Sequence, residues 1–118
     1  RHPVTIKGDL VAERLKERLA PLGLVPVETS RYSPLFVPKD SPLIRDLSEA
    51  FFEATGKHPE VMAIGGGTYA KALPNVVAFS PFPAGLMDLA HQADEHIGIE
   101  DLLSSVLVLK IAMLKLAR

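Results

Sequence analysis

Apolar positions recur along this chain at two spacings, and each predicts a different element. Leu10, Leu15 and Leu19 share one helical face after Asp9, which stands where an N-cap is expected. Gly23 is placed to close that helix in the left-handed conformation. Leu43, Ile44, Leu47, Ala50, Phe51 and Ala54 form a second stripe at helical spacing. It opens on Ser41-Pro42, an N-cap followed by proline at the first helical position, and Gly56 closes it. Val61-Met62-Ala63-Ile64 and Val76-Val77-Ala78-Phe79 are short unbroken apolar runs, the pattern of strands buried on both faces. Leu24 to Glu28 predicts a further strand, kept at an edge by Pro26, and Arg1 to Ile6 a short extended stub. Tyr69 to Leu73 reads as a short helix. Glu100 to Ala117 predicts a long helix, apolar on nearly all sides. Lys110 and Lys115 interrupt it, and it is short for a bilayer span, so a buried core helix needing cover on every side is expected.

The order of elements is strand-helix-strand, then helix-strand-helix-strand-helix. That order predicts an α/β fold, a sheet with covering helices. A Ser- and Pro-bearing stretch divides the two parts, giving residues 1–30, a linker at 31–40, and residues 41–118. At 118 residues the chain is one domain or a piece of one. Its first residue is Arg1 and no signal peptide follows, so it is expected to begin inside a longer product or to be trimmed.

Composition narrows the chemistry. Apolar residues make up 47% and charged residues 23%, enough to fold. The net charge of −1 comes without a basic stripe or cationic face, which argues against nucleic acid and membrane-surface partners. The chain has no cysteine, so disulfides and thiolate metal sites are excluded. That fits a reducing compartment and a cytoplasmic protein.

Two segments carry candidate chemistry. Gly65-Gly66-Gly67-Thr68 follows an apolar run, where backbone can approach a ligand and a helix start can favour an anion. Taken alone it reads rather as a tight strand-to-helix turn, and no Lys-Ser/Thr pair makes it a phosphate loop. His91 lies in a run with Asp88, Asp94, Glu95 and His96. Imidazole binds zinc and a carboxylate can orient it, although a polar loop histidine is the plainer reading. A catalytic zinc takes about three protein ligands, and neither an HExxH nor an HxH pair occurs. His2 and His58 lie beside prolines and are expected to be solvated.

The stretch from Gly65 to Asn75 and the stretch Asp88-Leu89-Ala90-His91-Gln92, in this order and spacing, resemble the C-terminal part of PepV-like dipeptidases. These belong to the di-zinc aminoacylase and carboxypeptidase superfamily of metallopeptidases. Arg1-His2-Pro3 is similar to the family's Arg-aromatic-Pro segment at the end of its lid domain, with His2 at the aromatic position. The resemblance implies the C-terminal portion of a mixed-sheet zinc-peptidase catalytic domain, preceded by a β-α-β remnant of the α+β lid. It implies that His91 binds one of two zinc ions, with other divalent metals possible. It also implies that Gly66, Gly67, Thr68 and Arg1 hold the substrate carboxylate.

The reaction so implied is hydrolysis of short peptides by a metallopeptidase. The family's HxD pair, bridging aspartate, Glu-Glu pair and remaining carboxylate ligand are not in this sequence, and neither is the rest of the lid. The chain alone is therefore expected to be an inactive fragment, lacking catalytic residues and its N-terminal partner half. Ser80 to Met87 departs from the family's Gly-Pro-x-Phe-Pro-Gly loop and is less acidic, which bears on substrate preference. Two other classes stay open: a non-catalytic binding or oligomerisation module, and a deacylase or carboxypeptidase of the same superfamily.

Overall fold

In the computed structural model residues 2–27, 32–66, 68–82 and 89–118 are described. The chain divides into two compact units, one holding Arg1–Phe36 and Gly65–Val77, the other Val37–Ile64 and Ala78–Arg118.

In the first unit, helix α1 runs Gly8–Leu19. The N-cap is Lys7, not Asp9, because the first helical bond runs from the Val11 N–H to the Lys7 carbonyl at 3.3 Å. Asp9 lies in the first turn, where a carboxylate complements the helix dipole. The helix tightens into a 3-10 turn, Ala20–Leu22, and stops at Gly23, whose φ of 68° is left-handed as the sequence suggests. His2 is not simply solvated. Its ring lies over Gly8, where a Cβ would come within 2.8 Å of Nε2. No residue of α1 is buried.

The second unit holds the core. Helix α2 is Pro42–Thr55, with the Ser41 hydroxyl accepting the Ile44 N–H at 3.3 Å. Gly56 ends it at φ 68°, its N–H bonded to the Phe52 carbonyl at 2.8 Å. The stripe works as its spacing implies: Ile44, Leu47, Ala50 and Phe51 are buried, and Leu43 and Ala54 half-buried. Helix α3, Ile99–Leu116, packs against α2. It buries Ser105, Val108 and Ala112, three residues one turn apart on one face. These are among its smaller side chains, which suits close approach of two helices. The Ser105 hydroxyl donates to the Leu102 carbonyl at 2.7 Å, so its burial leaves no unmet donor. Lys115 Nζ ties the last turn of α3 to Glu53 at 3.3 Å and Glu49 at 3.5 Å.

Two expectations need correction. Among the described residues there is no strand, so the mixed sheet and the β-α-β unit do not form here. The stub before α1, residues 24–27, 61–64 and 76–79 carry no ladder. A strand exists only through a hydrogen-bonded neighbour, and parallel neighbours in particular must be brought together by the rest of a sheet. Val61, Met62 and Ile64 are 38–55% exposed rather than buried. Nor is α3 a fully buried core helix. Its larger side chains face outward, with Leu103, Val106, Met113 and Leu114 each more than half exposed. Among the described residues no helix is long and apolar enough to cross a membrane.

Candidate functional site

The glycine segment belongs to the first unit. Gly65 and Gly66 are exposed bends, and Gly67 lies outside the described residues, as does Arg1. At Gly65 the backbone is not left-handed, and a Cβ would meet nothing within 4 Å. Among the described residues neither conformation nor crowding demands glycine there. Thr68 precedes a four-residue 3-10 turn, Tyr69–Ala72, and caps it: its hydroxyl accepts the Ala70 N–H at 3.2 Å. Its carbonyl takes the Lys71 N–H, also at 3.2 Å. The expected short helix is therefore a single tight turn. The Thr68 hydroxyl can still donate, since the capping bond uses it as acceptor. The described residues of the segment are open to solvent, with Tyr69 98% exposed.

His91 belongs to the second unit, on an exposed loop leading into α3. Its backbone is left-handed at φ 64°, and Asp94 follows at φ 59°. Neither residue is glycine, and each such turn costs on the order of 1–2 kcal/mol. Three bonds close the loop. The His91 N–H donates to Glu95 Oε2 at 3.1 Å. The Gln92 N–H donates to the Leu89 carbonyl at 3.1 Å. The His96 ring meets the Asp94 carbonyl through Nδ1 at 2.6 Å. A carbonyl only accepts, so Nδ1 of His96 carries the hydrogen and Nε2 of the neutral ring keeps its lone pair. The sequence suggested that a nearby carboxylate orients the imidazole of His91. Glu95 instead grips its main chain, a relation that spacing alone does not show, because it depends on the left-handed turn. Asp88 lies outside the described residues.

The candidate residues thus fall in different units, and no strand among the described residues precedes either segment. Among the described residues no group of three or more His, Cys, Asp or Glu side chains could hold a metal ion. The described residues do not make a self-contained metal centre. An open groove of about 370 Å³ beside α2 and the end of α3 holds none of the candidates. There His58, exposed as expected, stacks on Phe52 with ring centroids 4.7 Å apart, and Lys115 is already engaged by Glu49 and Glu53.

Comparison with known proteins agrees with the motifs. The whole chain aligns at 36% identity with YtjP of Bacillus subtilis (strain 168), named as a candidate dipeptidase. It aligns over its whole length at 26% identity with the "Beta-Ala-Xaa dipeptidase" of Lactobacillus delbrueckii subsp. lactis. Over 98% of the chain it is 31% identical to SSP1012 of Staphylococcus saprophyticus, also named as a candidate dipeptidase. In each case the chain spans 25% of the relative's length. No family model matches, and no solved structure matches. The likeness to dipeptidases inferred from the motifs therefore extends over the whole of this chain.

Proposed function

We propose that this chain is one portion of a zinc-dependent dipeptidase, contributing a substrate-carboxylate clamp and a single metal ligand. The observation that carries the reading is its end-to-end likeness to proteins named as dipeptidases of about four times its length. In this reading residues 1–30 end the lid, 31–40 link, and 41–118 form the C-terminal part of the catalytic domain. The runs at 61–64 and 76–79 become strands of a mixed sheet once neighbouring strands are supplied. Two zinc ions, when bound, supply water acidified enough to attack a carbonyl at neutral pH, a role other divalent metals can share. The planar guanidinium of Arg1 suits bidentate pairing with the carboxylate of a short peptide. Main-chain groups at Gly66 and Gly67 and the hydroxyl of Thr68 hold the same carboxylate. The His91 imidazole is one zinc ligand. The protein works in the cytoplasm.

Hydrolysis of dipeptides is the direct test. The longer polypeptide containing this chain should cleave dipeptides in a chelator-sensitive way, and H91A should lower kcat/KM at least 100-fold. The 118-residue chain alone should be inactive with added zinc. A longer polypeptide without peptidase activity, or robust activity of the isolated chain, overturns the respective part. The outward apolar face of α3 favours a second reading, a non-catalytic oligomerisation module. A monodisperse dimer of the isolated chain would support it.

A further inference from the structure

We infer that Glu95 is the positioning residue for His91, holding the main chain so that the imidazole leaves it in one fixed direction. Residue 91 is left-handed at φ 64°, and a second non-glycine left-handed residue, Asp94, follows at φ 59°. Glycine adopts this conformation freely, whereas a residue with a Cβ does so at a cost. A histidine held in it is strained, and strain of this kind persists where surrounding structure enforces it. The enforcing contact is local. Glu95, four residues on, reaches back to accept the His91 N–H at 3.1 Å, a charge-assisted bond. The direction of the Cα–Cβ bond follows from the backbone dihedrals. If residue 91 relaxed to negative φ, its side chain would swing away from its present heading. Glu95 thus acts on the imidazole through the main chain.

The backbone clamp stands on this loop alone, whereas its functional meaning rests on His91 being a metal ligand. The test separates the two. In the isotope-labelled 118-residue chain, a positive φ gives residue 91 a strong intraresidue HN–Hα NOE, and the bonded amide exchanges slowly. E95A should weaken that NOE and speed exchange at residue 91 about tenfold. E95Q keeps an oxygen acceptor at the same reach and should restore most of both. Signals from α2 and α3 report whether each variant keeps its fold, since the loop lies outside both helices. In the longer polypeptide, E95A should lower zinc affinity by about 10–100-fold, the effect expected of a group that orients a ligand. E95Q should recover most of it. Residue 91 unchanged in E95A overturns the clamp. Residue 91 released while zinc affinity stays at the wild-type value, with H91A still losing zinc, overturns the positioning role. If H91A leaves zinc affinity intact, the ligand reading of His91 fails, while the NOE and exchange data still decide the clamp.

Discussion

Gly56 and His91 take nearly the same left-handed turn, at φ 68° and 64°, yet one is glycine and the other is not. At Gly56 the turn ends a helix, and any Cβ is a cost without a return. Gly56→Ala should destabilise the α2–α3 unit by about 1–2 kcal/mol in urea unfolding. Gly65→Ala should leave stability unchanged, because that backbone is not left-handed and a Cβ there enters open space. A loss of peptide binding in the longer polypeptide on the same substitution would then report a ligand approaching Gly65. At Ser41 the hydroxyl meets the Ile44 N–H, so Ser41→Ala should cost about 1 kcal/mol. These caps were legible in advance, since Ser-Pro at one end of a stripe and glycine at the other act through neighbours in sequence. The hold of Glu95 on His91 was not, because it needs a backbone sign that no residue pattern states.

Helices α2 and α3 are the elements whose spacing and packing agree. Leu47→Ala removes a buried side chain from the packed face and should cost about 2–5 kcal/mol, read as a lowered urea midpoint. Lys115 sits between Glu49 and Glu53, but both carboxylates are more than half exposed. Ion pairs with carboxylates this exposed contribute little, although Lys115 itself is only 18% exposed, so Lys115→Met should change stability by about 1 kcal/mol or less. The apolar runs at 61–64 and 76–79 show where pattern reading stops. Their composition specifies a residue type suited to a sheet, but a ladder needs a second strand, and none forms among the described residues.

At the scale of the molecule, α3 leaves one of the apolar surfaces open among the described residues. Ser105, Val108 and Ala112 face inward, while Leu103, Val106, Met113 and Leu114 face solvent. An apolar face of this kind promotes association. The double substitution L103E/M113K should leave the unfolding free energy of the isolated chain within about 0.5 kcal/mol of the parent value, as expected for surface positions. It should also lower concentration-dependent self-association in sedimentation velocity. In the longer polypeptide the same pair should be destabilising if further chain covers this face. Equal tolerance in both forms would show that α3 stays uncovered.

The sequence by itself determined the three helices, two of their caps at Ser41 and Gly56, the inward stripe of α2, and the motifs shared with dipeptidases. Each depends on residues within a turn or two of one another, or on residue identity alone. The tertiary structure decided which face of α3 is buried, because nearly every face was apolar enough to qualify. It also decided that the apolar runs carry no ladder among the described residues, and that His91 is held through its main chain by Glu95. Those outcomes depend on partners in space and on dihedral sign, and the order of side chains along the chain encodes neither directly.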